Sequence, residues 1–176
     1  MLYIAYGSNI NVKQMAYRCP GARVAGTAEL TGYDLLFKGR RYSSHATVEQ
    51  QGDGRVPVLL WNINKHHERA LDVFEGWPKV YRKEVHTVQI EGKIRQGMLY
   101  VMTDGHSFGD PTPEYYNTIR EGYKNAGFDT SYLDRAVENS AQLALEQDLE
   151  WERLVAELDE QGFDDNQQTL FNMRWW

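Results

Sequence analysis

The chain opens on an apolar run from Leu2 to Tyr6 that breaks at Gly7-Ser8-Asn9. That pattern predicts a short buried strand feeding into a polar corner and then a helix. The helix is expected over residues 11–18, stopped by Pro20-Gly21. Short β-type runs follow at residues 24–30, 33–37, 46–49 and 56–63, set apart by Gly32, Gly39 and the Gly52-Asp53-Gly54 turn. Between residues 64 and 76 the period changes. Ala70, Leu71 and Phe74 fall on one helical face, Asn64 is placed to cap the start, and Gly76 followed by Pro78 marks the stop. Strands are expected again at 81–90 and 94–102, joined by a Glu91-Gly92 hairpin turn.

From Thr112 onward the pattern is helical. Thr112 as N-cap, Pro113 at the first helical position and Glu114 in the first turn make a strong start, with Gly127 as the end. A further helix is expected over residues 131–159, with a break near Asn139 and Ser140. A polar stretch at 162–168 precedes an aromatic end, Phe171-Asn172-Met173-Arg174-Trp175-Trp176. Roughly seven short strands followed by a helical third indicate an α+β fold: a small mixed β-barrel or strongly curved sheet with surrounding helices. The chain divides into a folded unit over residues 1–135 and a helical, acidic extension with an aromatic tail over 136–176.

Composition narrows the function classes. With 176 residues the chain can enclose a core with a pocket, and its formal net charge of -6 argues against a nucleic-acid groove. The short basic cluster Lys38, Arg40 and Arg41 reads as a solvated loop. No apolar run approaches the roughly 20 residues needed to span a bilayer, and the strand at the start is no signal sequence, so the cytoplasm is the expected compartment. Cys19 is the single cysteine, which rules out a disulfide framework and reads as a structural thiol. His66 and His67 are adjacent and would point about 100° apart on a helix, so no metal site is expected from them. Trp175 and Trp176 together can bury up to ~500 Å². The Phe171–Trp176 end is therefore expected to dock, either on its own barrel near the pocket rim or on a second copy of the chain as a homodimer.

Candidate chemistry gathers at four places if the sheet curls: the Tyr6 to Asn9 corner, Glu75, Tyr100 and Tyr115. The residues alone leave the corner open between an ordinary turn and a loop that aims backbone N–H groups at a ligand. Glu75 stands out because a carboxylate at a helix C-terminus opposes the macrodipole. Its neighbours Phe74 and Gly76-Trp77-Pro78 make an apolar, aromatic setting that would lift its pKa toward that of a useful base.

These residues carry a resemblance. Tyr3-Ile4-Ala5-Tyr6-Gly7-Ser8-Asn9, then Leu71-Asp72-Val73-Phe74-Glu75-Gly76 leading to Tyr81, then Tyr100-Val101-Met102, then Pro111-Thr112-Pro113-Glu114-Tyr115 with Ile119 and Gly122, resemble the gamma-glutamyl cyclotransferase family in order and spacing. The resemblance covers about the first 135 residues. It implies a small β-barrel with helices around it and a cavity floored by the Tyr-Gly-Ser-Asn loop. It also implies release of 5-oxoproline from a small gamma-glutamyl substrate, with no cofactor. By similarity Glu75 is the acid/base residue, and Tyr3, Ile4, Ala5, Tyr6, Gly7, Ser8, Asn9, Tyr81, Tyr100 and Tyr115 line the substrate site. Thr112 stands where the family often has Ser, residues 43–47 match only loosely, and nothing after about Leu133 can be matched.

The implied reaction suits this residue set. A substrate's own α-amine closing on its γ-carbonyl is intramolecular and benefits from effective molarity. It lacks a free amine at neutral pH, which a positioned carboxylate supplies by taking the ammonium proton and returning it to the departing amine. Backbone N–H groups at the corner would hold the α-carboxylate or the oxyanion, an oxyanion donor being worth about 3 kcal/mol. Two other classes compete: a ligand-binding module without turnover, and an interaction protein that recruits partners through its acidic helix and aromatic end. A pure binder gains little from a carboxylate at position 75.

Overall fold

The computed structural model describes residues 1–160. Strand β1 (Leu2–Ala5) is buried along its whole length because it sits in the middle of a five-stranded sheet. It pairs antiparallel with β3 (Ser43–Asn62), Tyr3 opposite Trp61, and parallel with β5 (Lys93–Met102), Tyr3 opposite Met98. Strands β2 (Arg23–Arg40) and β4 (Tyr81–Ile90) form the edges. The corner after β1 is a single 3-10 turn over Ser8–Ile10, and helix α1 (Val12–Arg18) follows it, capped by the Asn11 side chain on the N–H groups of Lys13 and Gln14.

Four expected strands merge into two. β2 and β3 run 18 and 20 residues, with pairing that jumps from Thr31–Arg55 to Tyr33–Gln50. Gly32 and the Gly52-Asp53-Gly54 segment are absorbed as irregularities in a continuous ladder instead of ending it. A glycine turn signal is local, whereas the partner strand that keeps the chain extended is distant in sequence. The β4–β5 hairpin turns at Glu91 and Gly92, both at positive φ, as its sequence indicates.

The expected barrel is corrected to a rolled, open sheet. Its edges approach through side chains: the Tyr33 hydroxyl on β2 lies 3.4 Å from His86 Nδ1 on β4, and their rings meet edge-on at 5.1 Å. No strand pairing joins β2 to β4, so the ladder that would close a barrel is missing.

Helix α2 (Lys65–Phe74) begins at Asn64 in a capping box with His67, and α3 (Pro113–Ala126) begins at Thr112, whose hydroxyl accepts from Tyr115 N. Helix α4 (Thr130–Glu160) continues through Asn139 and Ser140, where a break was expected. Ser140 stays helical with its Oγ donating to Ala136 O at 2.8 Å, and this Oγ also accepts from Phe37 N of β2 at 2.9 Å. Leu133, Ala136 and Ala144 are buried on this face. The polar stretch and the aromatic end expected to dock or dimerise lie outside the described residues.

Helix α3 is pressed against the corner. A Cβ on Gly122 would fall 2.8 Å from Asn11 N and 2.9 Å from Ile10 C. Asn11 Nδ2 also donates to Thr118 O on α3 at 3.0 Å. Gly122→Ala is therefore expected to cost about 1–3 kcal/mol and lower the Tm by several degrees, measured by calorimetry. An unchanged Tm would mean that the two elements can separate freely.

Candidate active site

One cavity, about 290 Å³ including the part open to solvent, lies where β1, the 3-10 turn, the end of α2 and the start of α3 converge. Its lining contains Tyr3, Tyr6, Gly7, Ser8, Asn9, Glu75, Tyr81, Tyr100 and Tyr115, so nine residues expected at the substrate site surround one space. Ile4 and Ala5 do not line it. Both are buried in β1, and Ile4 packs so closely on Gly97 that a Cβ there would fall 2.8 Å from Ile4 Cγ1.

Glu75 is aimed by the way α2 ends. Trp77 N donates to Asp72 O at 2.9 Å and Gly76 N to Val73 O at 3.3 Å, with Gly76 in the left-handed region at φ +63°. This pair of bonds is a Schellman ending, and it fixes Glu75 at the last half-helical position. One carboxylate oxygen accepts from Asn9 Nδ2 at 2.8 Å, and the same amide donates to the Tyr3 hydroxyl at 2.8 Å. Burial pushes the Glu75 carboxyl above the usual carboxylate range, while the nearby Arg18 charge and the Asn9 hydrogen bond pull it back.

The tyrosines are held by specific partners. Tyr81 donates to Ala46 O at 2.8 Å, Tyr115 accepts from Ala46 N at 3.2 Å, and Tyr6 donates to Tyr100 O. Tyr100 turns its hydroxyl away to Asp72 at 2.6 Å, where Lys83 also binds Asp72 at 2.6 Å and Glu68 at 2.8 Å. Burial raises all these phenols, Tyr115 to about 12, so they act as neutral donors at physiological pH. The Gly7 φ is -105°, outside the left-handed region. Space is what it supplies: a Cβ would fall 3.1 Å from Ala46 Cβ and 3.3 Å from the Tyr115 hydroxyl.

Sequence reasoning missed three contributors. Ala46 lines the cavity from the segment that matches the family only loosely. Trp61 Nε1 donates to Asn9 O at 3.0 Å and pins the corner from β3. Arg18 reaches back from the end of α1 to donate to Asn9 Oδ1 at 2.7 Å and Ser8 Oγ at 3.2 Å. Its only local signal is a basic residue in the last turn of a helix. Among the described residues no group of three or more His, Cys, Asp or Glu side chains could hold a metal ion, and no helix is long and apolar enough to cross a membrane.

Comparison with known proteins agrees with this arrangement. Residues 3–122 match the family model described as gamma-glutamyl cyclotransferase, AIG2-like. The chain is 31% identical over 143 residues to a gamma-glutamylcyclotransferase of Mus musculus, and 30% identical over 143 residues to one of Homo sapiens. Each alignment covers 76% of this chain and 76% of the relative. A solved structure described as a gamma-glutamyl cyclotransferase superposes with a TM-score of 0.70 at 27% identity, over 77% of this chain and 85% of that one. The chain belongs to the gamma-glutamyl cyclotransferase, AIG2-like family and is an enzyme of the gamma-glutamylcyclotransferase type.

Proposed function

We propose that this protein cyclises the γ-glutamyl group of a gamma-glutamyl peptide or amine, releasing 5-oxoproline and the free amino acid or amine, with Glu75 as general acid/base. The observation that carries the reading is a buried carboxylate that lines a small cavity, held by an amide donor and ringed by neutral phenols. Glu75 takes a proton from the substrate's ammonium group, and the freed nitrogen attacks the γ-carbonyl carbon. The carbonyl π electrons move to oxygen as the five-membered ring closes. When they return, the bond to the leaving nitrogen breaks as Glu75 delivers its proton there, and the ring nitrogen gives up its second proton to the vacated carboxylate, from which it passes to the released amine, leaving a neutral lactam. Ring closure is unimolecular once the chain is folded in the cavity, so binding and proton transfer supply most of what is required.

The negative oxygen and the α-carboxylate need donors. The first N–H groups of the 3-10 turn have no intrahelical acceptor, and Gly7, Ser8 and Asn9 all lie on the cavity wall. The hydroxyls of Tyr3, Tyr6, Tyr81 and Tyr115 orient the γ-glutamyl chain, with Tyr100 as a wall. All proposed site residues fall between Tyr3 and Tyr115, within the proposed catalytic unit of residues 1–135, and the 136–176 extension begins in a helix that packs on that unit through Ala136, Ser140 and Ala144. The lone buried thiol suits a reducing compartment, and the cytoplasm is the proposed location.

The test is incubation with a panel of gamma-glutamyl dipeptides and gamma-glutamyl amines, followed by assay for 5-oxoproline. Formation from at least one member supports the reading. Saturable binding without product across the panel would leave a ligand-binding module instead.

The proposed mechanism asks nothing of a metal or a thiol. Cys19 is buried, its Sγ lies 3.6 Å from His67 O, and burial raises its pKa, so it has no activating base. Activity is expected to survive both a chelator and Cys19→Ser within about twofold. Loss under either treatment in protein that stays folded by circular dichroism would contradict the mechanism.

A further inference from the structure

Arg18 belongs to no motif that pointed to the site, yet it stands one hydrogen bond behind Asn9. Its Nη1 donates to Asn9 Oδ1 at 2.7 Å and to Ser8 Oγ at 3.2 Å, and its guanidinium lies 4.8 Å over the Phe74 ring. Asn9 faces two ways: Oδ1 toward the guanidinium, Nδ2 toward Glu75 Oε1 and the Tyr3 hydroxyl at 2.8 Å each. A guanidinium has only donors, and an ionised carboxylate only acceptors. With the amide flipped, an NH2 group would face Arg18 and a carbonyl oxygen would face Glu75. Both contacts would then be repulsive. Arg18 therefore dictates which end of Asn9 the carboxylate meets.

We propose that Arg18 is a positioning residue for the reaction: it locks the Asn9 amide toward Glu75 and holds a fixed positive charge beside that carboxylate. This rests on Glu75 as the acid/base group. The charge matters because the other titratable groups facing Glu75 are phenols: Tyr3 from β1, Tyr6 from the corner, Tyr81 from β4, Tyr100 from β5 and Tyr115 from α3. Burial keeps all of these neutral at physiological pH, so they cannot offset the cost of an ionised Glu75 by charge. His45, whose ring centroid lies 4.8 Å from that of Tyr115, is pushed toward its neutral form by burial and by Arg18. Among the described residues, Arg18 is thus the cation that opposes burial and keeps enough Glu75 ionised to take a proton.

The sign follows directly. A base works ionised, so kcat/KM should fall as pH drops through the Glu75 pKa. Removing a neighbouring cation moves that acidic limb to higher pH. Arg18→Gln keeps an amide donor, and Arg18→Met keeps the aliphatic stem on Phe74. Both are expected to move the limb up by about one pH unit, while Arg18→Lys, which keeps the charge, leaves it within about 0.3 unit. The Glu75 carboxylate is followed in parallel by ¹³C NMR of labelled protein, assigned by its absence in Glu75→Gln. This needs no turnover and separates Glu75 from His45.

An upward shift of the Glu75 resonance midpoint in either neutral variant, with Lys restoring it, supports the inference. Loss of activity with both limb and midpoint unmoved would overturn it and leave Arg18 as a structural residue only. A raised KM at unchanged kcat and unchanged midpoint would overturn it in favour of direct substrate contact. If Glu75→Gln retains full activity, the failure belongs to the acid/base reading and not to Arg18, whose effect on the NMR midpoint is read independently.

Discussion

Glu75→Gln is expected to lower kcat by about a hundredfold or more while leaving the fold and most ligand affinity intact. The amide is nearly isosteric, and its carbonyl can still accept from Asn9 Nδ2, which sits 2.8 Å from the carboxylate now. What it cannot do is take the ammonium proton. Stability should move the other way. The folded Glu75 carboxyl titrates above its unfolded value because burial penalises the charge, so the native state binds the proton more tightly than the unfolded chain does. That contribution favours folding below the unfolded pKa and turns unfavourable as pH rises through the folded one. At neutral pH the neutral Gln should therefore match or exceed the wild-type Tm, the pattern of a residue kept for chemistry at a cost in stability. Steady-state kinetics with calorimetry checks both halves. Unimpaired turnover would remove Glu75 from the mechanism, and a large Tm loss would assign it a structural role.

Gly7→Val is the second large effect. A Cβ alone at this position would press on Ala46 Cβ at 3.1 Å and the Tyr115 hydroxyl at 3.3 Å, and the two methyls of valine would occupy the cavity floor. The Gly7 φ of -105° lies outside the left-handed region that favours glycine, and crowding is the cost expected here. Folding should lose about 1–3 kcal/mol, within what a domain of this size tolerates. Ligand binding should fall below detection, since the added atoms intrude on the small cavity that Gly7 lines. Calorimetric titration with a non-cleavable γ-glutamyl analogue reads this. Wild-type affinity in a folded Gly7→Val protein would mean that the corner is a turn and no part of a binding site.

The legible parts of this fold are those specified by neighbouring residues. The Asn64 and Thr112 caps rest on side chains within three residues of the backbone groups they satisfy, and the Gly76 and Gly127 stops and the Glu91-Gly92 hairpin turn rest on residues at positive φ. Strands β2 and β3 read as four in the sequence because their continuity past Gly32 and Gly52 depends on cross-strand partners. The expected break at Ser140 failed for a similar reason: its hydroxyl is occupied by Ala136 O and by Phe37 N from 103 positions away.

The site divides the same way. Glu75 was conspicuous as an acid placed against a helix dipole, and the Tyr-Gly-Ser-Asn corner as a break at the mouth of an apolar strand. Arg18 and Ala46 carried no such oddity. A basic residue ending a helix and a small residue in a strand are ordinary, and only the folding of α1 and β3 onto the corner gives them their place beside Asn9 and Gly7.

The central claim is that the substrate's own amine, and not water, is the nucleophile. Turnover of a gamma-glutamyl substrate in H₂¹⁸O, with products analysed by mass spectrometry, tests it most directly. Intramolecular cyclisation yields 5-oxoproline free of ¹⁸O, in equal amount to the released amino acid or amine. Glutamate carrying ¹⁸O in its γ-carboxylate as the initial product would show hydrolysis and contradict the account.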